Sequence, residues 1–350
     1  MTKIPATVNT ANFWQRLPQP FLVCAPMADG TDAAFRRVIA AHGKPDVMYT
    51  EFVSCDGLCS EKGQPKLLRD LVFSEAERPI VAQIFSSKPE NVAACARLIA
   101  SLGFDGIDIN MGCPDRGIEK QGAGAALIKN PALAVEVIRA AQSESGGLPV
   151  SIKTRLGYHT VELDSWLPRL LDARPAAITL HLRTRKEMSK VPARWDLARA
   201  AVEMAKGSGT LIIGNGDVAS LAEAHARAEE TGVDGVMVGR AWFGNPWFCS
   251  GRTNIGDEER ITVMMEHLSA YIEFFGPSER NTTEFHGHGK HFAIIKKHLN
   301  AYVKGTPSLS PLRHALMEAP DGVSALRILE ETRAAGWRSS TVISSLFGLY

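Results

Sequence analysis

Short runs rich in apolar and β-branched residues alternate with helix-like segments eight times between residues 21 and 240, and this rhythm constrains the fold most strongly. Each run has the length of a strand, whereas the segments between the runs repeat apolar residues at helical spacing. Eight strand–helix units within about 230 residues are typical of a TIM barrel. The runs cover residues 21–27, 47–53, 80–85, 106–112, 149–157, 177–184, 210–218 and 235–240.

The segments between these runs include amphipathic stretches, which predict helices. A doubly wound open sheet is the main alternative, but it would need a glycine fingerprint after its first strand. Residues 26–30 read Pro-Met-Ala-Asp-Gly at that position, so we favour the barrel. The amphipathic stretches are residues 89–103, 131–145, 195–206 and 220–232.

The alternation of strand-like and helix-like segments stops after Pro246. The later helix-like segments have no strand-like run between them, which predicts a small helical domain. We therefore expect the α/β class, with a (β/α)8 TIM barrel over residues 1–250 followed by an all-α helical domain over residues 251–350. The helix-like segments of this domain are residues 257–275, 289–304 and 322–336.

The composition of the 350-residue chain is that of a globular protein, with 45% hydrophobic and 22% charged residues. No apolar run reaches the roughly 18 residues of a membrane-spanning helix, and none near the start is a signal peptide. We expect a cytoplasmic protein with no membrane partner. Six cysteines are too few for a disulfide framework in so long a chain, so we expect them to be reduced. A net charge of +1 gives no global attraction to nucleic acid.

Polar residues collect where the strand-like runs end, and TIM barrels carry out their chemistry at the carboxyl ends of their strands. So many polar side chains there are costly unless they are hydrogen-bonded, and a large polar ligand would satisfy them. An internal hydrogen-bond network is the alternative, mainly for Glu51, Asp108 and Asp217. The residues at the run ends are Pro26, Met27, Glu51, Gln83, Asn110, Cys113, Lys153, Arg155, His181, Arg183, Asn215, Asp217, Gly239 and Arg240.

The seventh and eighth runs each end in a glycine-containing turn that opens toward a helix. This is the usual place for a phosphate in a TIM barrel. Backbone amides of residues 214–218 and 238–240, together with the Arg240 side chain, would hold that phosphate. A phosphorylated cofactor lying across the barrel mouth would then reach three more polar side chains, those of Gln83, Lys153 and His181.

Cys113 is the candidate reactive residue. The run 106–112 alternates like a buried strand and ends on this cysteine, which lies between Gly112 and Pro114. The glycine-broken, charged segment 115–127 is interpreted as a mobile loop and not as core, so that a substrate would reach the thiol. The alternative is a small buried core residue, as free cysteines often are.

A basic segment of the predicted helical domain is the candidate contact to RNA. Residues 285–304 contain four lysines, four histidines and no acid. Lys290, Lys296 and Lys297 would contact an RNA backbone, and a solvated helix face is the alternative.

A metal cluster at His286, His288 and His291 is a further alternative for this basic segment. Flanking glycines and the lack of a cysteine or carboxylate pattern argue against such a cluster. We therefore expect no metal.

The motifs at the run ends resemble the flavin-dependent tRNA-dihydrouridine synthase family. Residues 108–114, Asp-Ile-Asn-Met-Gly-Cys-Pro, and residues 122–127, Gly-Ala-Gly-Ala-Ala-Leu, are the most specific of them. The matches follow the family's order and cover about residues 20 to 250. The other matching segments are residues 25–27, 50–54, 81–85, 153–157, 181–185, 215–217 and 239–241.

The resemblance implies an FMN-bound barrel that reduces the C5–C6 double bond of uridine in tRNA, with NADPH or NADH as the reductant and no obligate protein partner. Asn110 would hold the flipped uracil beside Cys113, and Arg183 matches a position near the substrate. Asp115, and Leu182 where glycine is common, depart from the family pattern, so ribosomal RNA is an alternative substrate. The implied cofactor-binding residues are Pro26, Met27, Ala28, Gln83, Lys153, His181, Asn215, Gly216, Asp217, Gly239 and Arg240.

The chemistry of individual side chains agrees with these roles. A hydride delivered to C6 of uracil leaves an enolate-like charge and a need for a proton at C5. A cysteine with an ordinary pKa of about 8.5 is a thiol at neutral pH, so Cys113 is expected to be the general acid. Lys153 offers a positive charge to the N1/C2 edge of the flavin, and His181 is alternatively a core histidine. A dihydroorotate dehydrogenase-like FMN barrel acting on a small molecule is the main rival, and an RNA-binding module with a degenerate barrel is the second.

Overall fold

The computed structural model describes residues 12–276 and 290–334, and its eight strands form one parallel sheet. Strands that are neighbours in sequence lie side by side, and β1 pairs with β8. Val23 forms a parallel bridge with Val47, directly before β2, and this contact closes the sheet into the predicted TIM barrel. The strands are β1 (Phe21–Cys24), β2 (Met48–Ser54), β3 (Ile80–Phe85), β4 (Gly106–Met111), β5 (Val150–Arg155), β6 (Ala177–His181), β7 (Leu211–Asn215) and β8 (Gly235–Val238).

Helices follow the strands, and local signals set their ends. The Asn130 side chain accepts the Leu133 amide at the start of one helix, and Gly232, with a φ of 75°, ends another. All four amphipathic stretches predicted between the strands contain a helix. The helices are α1 (Ala33–His42), α2 (Cys55–Leu58), α3 (Gln64–Leu67), α4 (Pro89–Ser101), α5 (Arg116–Lys120), α6 (Pro131–Glu144), α7 (Leu163–Leu171), α8 (Asp196–Ala205), α9 (Leu221–Thr231), α10 (Asp257–Phe275), α11 (Ala293–Val303), α12 (Ser310–Glu318) and α13 (Gly322–Ala334).

The chain divides into two compact units. The first comprises residues 1–28 and 45–239 and contains all eight strands. The second comprises residues 29–44 and 240–350, so α1 groups with the C-terminal helices α10 to α13. Among the described residues, no helix is long and apolar enough to cross a membrane.

The amino-terminal end of the barrel is closed by aromatic side chains. Phe13 and Trp14 stack with ring centroids 4.7 Å apart, and Trp14 packs on Phe21 at 5.6 Å. Apolar side chains such as Val81 and Met237 fill the barrel interior next to these aromatic rings. Because this end is filled by apolar groups, the polar interior side chains are confined to the other part of the barrel.

The second unit has a core of its own. Apolar side chains of α1, α10 and α11, including Val38, Leu268 and Leu299, are almost completely buried together. Leu316 of α12 and Leu329 of α13 complete this core. The all-α character predicted for the end of the chain is therefore observed in the described part of it.

Candidate active site

A buried carboxylate, Asp108, lies at the centre of the polar interior of the barrel. The strand register places Gln83 beside it on β3 and Ser151 beside it on β5. Gln83 Nε2 donates to one oxygen and Ser151 Oγ to the other, each at 2.7 Å. Burial raises the pKa of Asp108 to about 6, although these hydrogen bonds and Lys153 oppose that rise. Asp108 thus belongs to an internal hydrogen-bond network, which was the alternative to ligand binding that we stated for it from the sequence.

This network continues from Asp108 to the backbone of Cys113. Asn110 Nδ2 donates to Gln83 Oε1 at 3.0 Å, which orients the Asn110 amide. Its Oδ1 then accepts the backbone N–H groups of Gly112 at 3.1 Å and Cys113 at 2.9 Å. The end of β4, and with it the position of the thiol, is therefore set by buried hydrogen bonds.

The Cys113 side chain is partly exposed at the end of β4. Burial raises the pKa of its thiol, and the Asp115 backbone and the positive charges of Arg155 and Lys153 offset only part of that rise. The side chain is therefore a thiol, and not a thiolate, at neutral pH.

The segment after Cys113 corrects the interpretation of residues 115–127 as a mobile loop. Asp115 accepts the Gly117 amide at 2.8 Å and begins α5, and residues 124–129 form a 3-10 helix whose first five residues are buried. Gly124, with a φ of 60°, permits the close turn in which the Ala125 amide donates to Cys113 O at 2.9 Å. The glycines here are the turns of a packed structure and not signs of a loop.

Lys153 lies next to Asn110 on one side and Thr179 on the other. Burial lowers the pKa of its ammonium to about 8, the nearby Arg155 adds to this, and Asp108 opposes it. Within residues 12–276 and 290–334, no acceptor lies within hydrogen-bond distance of its Nζ. Lys153 itself is half-buried, whereas the Thr179 hydroxyl is buried without a partner there. Both groups can donate to a bound molecule.

Arg155 is a positioning residue to which the sequence assigned no role beyond its place at a strand end. Its buried guanidinium donates to Gly112 O at 2.7 Å, to Met188 O at 3.0 Å and to Thr184 O at 3.2 Å. Burial lowers its pKa to about 10. Arg155 thereby connects the end of β4 to the segment after β6. The only sequence signal for this role was an arginine at the end of the strand Ile-Lys-Thr-Arg.

Arg183, His181 and Asp217 form a second group of contacts. The Arg183 guanidinium pairs with the Asp217 carboxylate, donates to Val191 O at 2.6 Å and lies 3.1 Å from His181 Nε2. Since arginine only donates, His181 Nε2 accepts, and a neutral His181 ring carries its proton on Nδ1. The network alternative stated for Asp217 is therefore also observed.

The predicted phosphate residues lie at the ends of β7 and β8. Asn215 Nδ2 donates to Met237 O at 2.8 Å, which joins these two ends, and Gly216 is buried beside Asp217. Gly239 approaches Met27, whose sulfur would lie 3.4 Å from a Cβ added to that glycine. The barrel unit contains most of the predicted cofactor residues, namely Pro26, Met27, Ala28, Gln83, Lys153, His181, Asn215, Gly216, Asp217 and Gly239.

Arg240 belongs to the second unit, where it begins the 3-10 turn Arg240–Trp242 with an exposed side chain. The predicted RNA lysines are in the same unit and differ in their surroundings. Lys290 is buried over the Phe275 ring, and Lys296 donates to Met317 O at 2.8 Å. Lys297 is exposed, so of the three it is best placed to meet a phosphate.

Residues 290–304 of the basic segment lie among the described residues. Phe292 and Tyr302, the aromatics among the basic residues, are core residues of the second unit. His286 and His288 lie outside the described residues. No group of histidine, cysteine and carboxylate ligands suited to a metal occurs in the part of the chain that is described.

The sequence as a whole matches a known family. A family model described as dihydrouridine synthase (Dus) matches residues 23–335. The chain belongs to the dihydrouridine synthase family. This membership decides against the dihydroorotate dehydrogenase-like alternative and accounts for the segments around Cys113.

Curated relatives of the family match nearly the whole chain. "Probable tRNA-dihydrouridine synthase 2" of Bacillus subtilis (strain 168) is 40% identical over 323 residues, which cover 91% of this chain and 96% of that protein. "Probable tRNA-dihydrouridine synthase" of Staphylococcus aureus (strain MRSA252) is 38% identical over 326 residues, covering 92% and 96%. Among solved structures, morphinone reductase in complex with tetrahydroNAD aligns with a TM-score of 0.48 at 14% identity, covering 69% of this chain and 90% of that chain.

Proposed function

We propose that this protein reduces the C5–C6 double bond of uridine in tRNA to 5,6-dihydrouridine, with FMN as its cofactor and NADPH or NADH as the reductant. The observation that carries the proposal is the Cys113 thiol, held at the end of β4 by Asn110 beside the half-buried ammonium of Lys153. The relatives named for this reaction support the same substrate class.

The residues present in the barrel fit an FMN. A half-buried ammonium that has no protein acceptor can pair with an electron-rich group, and Lys153 is such a group in the described chain. The unpartnered hydroxyl of Thr179 is a second donor beside it. Lys153 would offer its charge to the flavin ring. Pro26, Met27, Ala28, Gln83 and His181 would hold the ring with it, and Asn215, Gly216, Asp217, Gly239 and Arg240 would hold the phosphate.

When bound, FMN supplies the hydride that adds to C6 of the uracil. The chain itself supplies the proton for C5 from the Cys113 thiol, which burial keeps protonated at neutral pH. Asn110 holds the backbone of that cysteine at the strand end and contacts the flipped base, and Arg183 lies near the substrate. In the second unit, Lys297 contacts the RNA backbone, and Lys290 and Lys296 are the weaker candidates.

The proposal is tested with purified protein, FMN, NADPH and tRNA transcribed without modifications. Mass spectrometry of the digested nucleosides measures dihydrouridine. Cys113→Ala is expected to lower its rate of formation by about 10²- to 10⁴-fold, as the loss of a general acid does, while the yellow flavin remains bound. Cys249→Ala, which removes another partly exposed thiol, is the matched control and should retain the rate.

A Cys113→Ala variant with full activity would remove Cys113 as the proton donor. Deletion of the gene in its host, followed by mapping of dihydrouridine in tRNA and ribosomal RNA, tests the substrate. Loss from a tRNA position supports the proposal, whereas loss from ribosomal RNA alone would overturn the choice of tRNA.

A further inference from the structure

Three cysteines lie together between α2 and α4, away from the residues proposed for uridine reduction. Cys55 begins α2, Cys59 directly follows it, and Cys95 lies within α4. Cys55 and Cys95 are buried, whereas Cys59 is exposed. Residues 55 and 59 are one helical turn apart, so both side chains lie on the same side of α2.

The thiols of Cys59 and Cys95 each donate to a backbone carbonyl group in the helical turn that leads to the other cysteine. The carbonyl oxygen of Cys55 accepts the Cys59 amide at 2.9 Å and also the Cys95 thiol at 3.7 Å. The carbonyl oxygen of Asn91 accepts the Cys59 thiol at 3.7 Å, and Asn91 is one turn before Cys95 in α4. Each sulfur therefore lies against the helical turn that carries the other cysteine.

Asp56 holds these two helices in place. Its carboxylate accepts hydrogen bonds from Ser86 Oγ at 2.7 Å and Asn91 Nδ2 at 2.9 Å, and Lys88 Nζ pairs with it at 2.8 Å. These contacts connect α2 with the segment that leads into α4. A disulfide bond between Cys59 and Cys95 would therefore cost little additional conformational entropy, because the two helices are already held together.

Solvent-sized molecules have access to the pair. Cys59 and Cys95 line a cavity of about 310 Å³ together with Leu58, Ala94 and Leu98. The neighbouring thiols of Cys55 and Cys59 lower the pKa of Cys95, while partial burial and Cys95 itself raise the pKa of Cys59 to about 11. Cys95 is therefore the more readily deprotonated of the two thiols.

We infer that Cys59 and Cys95 form a reversible disulfide when hydrogen peroxide enters this cavity, which makes the pair an oxidation site separate from Cys113. The Cys95 thiolate attacks one peroxide oxygen, the O–O bond breaks, and the hydroxide that leaves is protonated to water. Cys59 then attacks the sulfur of the resulting sulfenic acid, the S–O bond breaks, and the departing hydroxide takes up the Cys59 proton and leaves as a second water. Two thiols are oxidised by two electrons in total, and one peroxide is reduced to two waters.

The test uses the full-length flavin-loaded protein, reduced and then treated with hydrogen peroxide. Free thiols are blocked with N-ethylmaleimide, and the protein is cleaved before aspartates without reduction. Cleavage before Asp56 separates Cys55 from Cys59, so mass spectrometry identifies which cysteine is cross-linked to Cys95. We expect a Cys59–Cys95 peptide pair that is two hydrogens lighter than the free peptides and disappears with dithiothreitol.

Variants make the assignment of the pair specific. Cys59→Ser changes an exposed side chain and should abolish the cross-link, while Cys55→Ala and the control Cys249→Ser should retain it. A Cys55–Cys95 cross-link, or oxidation of Cys95 to sulfinic acid without any disulfide, would overturn the inference. Because the peptide map of the unmodified sequence decides between these outcomes, the result does not depend on the folding of any variant.

Discussion

At the scale of single residues, the site is organised by side chains that never need to touch a substrate. Gln83 connects the buried Asp108 carboxylate to Asn110, and Asn110 in turn fixes the backbone at Cys113. The thiol is therefore positioned by a chain of buried hydrogen bonds that crosses two strands. Removal of one link leaves other groups unsatisfied, which costs more than the bond itself contributes.

Gln83→Met tests this chain of hydrogen bonds. Methionine has a similar volume but gives Asp108 no donor and Asn110 no acceptor, so we expect the free energy of unfolding to fall by about 1–3 kcal/mol. Urea unfolding at neutral pH measures the loss, and dihydrouridine formation should fall with it because the end of β4 is less well held. The exposed Gln121→Met variant is the control. An unchanged unfolding midpoint for Gln83→Met would show that the network does not stabilise the fold.

Arg155→Lys tests the residue that connects Gly112 to the segment after β6. A lysine keeps the charge, but its ammonium cannot donate in three fixed directions to carbonyl oxygens at 2.7–3.2 Å. We expect dihydrouridine formation to fall at least tenfold, an effect of about 1.4 kcal/mol on the barrier, while flavin binding is retained. The exposed Arg199→Lys variant should retain the rate. Equal rates for the two variants would contradict the positioning role.

At the scale of elements, the periodicity of the sequence predicted all eight strands and the helices after β3, β4, β6 and β7, because burial sets both. It could not predict the structure of residues 115–127. There the helix α5 depends on the Asp115 cap and the fold of Gly124 around Cys113 O, and polar side chains with glycines resemble a loop in sequence. Nor could it predict that α1 groups with α10, since this contact is between residues far apart in the chain.

The sequence predicted which polar residues lie at the strand ends but not how they are connected. Polar residues at strand ends converge because parallel strands end at one edge of the barrel. Which of them bond to each other depends on register, and the pairing of Gln83 with Asp108 and of Asp108 with Ser151 becomes visible only in the sheet. Ser151 illustrates why the sequence does not predict these pairings, since a serine within an apolar run does not indicate which side chain its hydroxyl contacts.

The packing of β7 against Trp195 gives a prediction for one element. A Cβ added to Gly214 would lie 2.3 Å from the Trp195 ring, whose Nε1 donates to Gly216 O at 2.9 Å. Gly214→Ala should therefore push the ring away or shift β7, and we expect a loss of about 1–3 kcal/mol in stability, measured by urea unfolding. Gly256→Ala is the control, because a Cβ there meets nothing within 4 Å. An equally stable Gly214→Ala variant would mean that the strand accommodates the methyl group.

At the scale of the whole molecule, the two units bury different titratable groups, and this gives each a different dependence on pH. The barrel unit buries Asp108. The second unit buries His267 and His298, whose rings lie 5.0 Å apart against Phe35 and Tyr302. Within the described residues, neither ring nitrogen of His298 makes a hydrogen bond of good geometry, and the ring packs against aromatic side chains.

The histidine pair should make the protein less stable as the pH falls. Burial lowers the pKa of His267 to about 4, with Asp32 opposing, and burial together with His267 and Lys297 holds the pKa of His298 well below 6.5. Below about pH 6.5 these histidines take up protons in the unfolded chain but not in the folded chain, and this favours unfolding. Above that pH they are neutral in both states, so the free energy of unfolding has its full value there. As the pH falls from 6.5 toward 4, the free energy of unfolding decreases by up to about 1.4 kcal/mol per pH unit for each histidine.

His298→Leu isolates this contribution, since the raised pKa of Asp108 acts in the opposite direction and is the same in both proteins. Leucine fills the site without unsatisfied ring nitrogens, so the variant should be at least as stable at pH 7, and its advantage over the unmodified protein should grow as the pH falls from 6.5 to 4. Urea unfolding at a series of pH values, followed by circular dichroism, measures the difference between the two curves. A difference that stays constant over that range would show that His298 is protonated equally in the folded and unfolded chains.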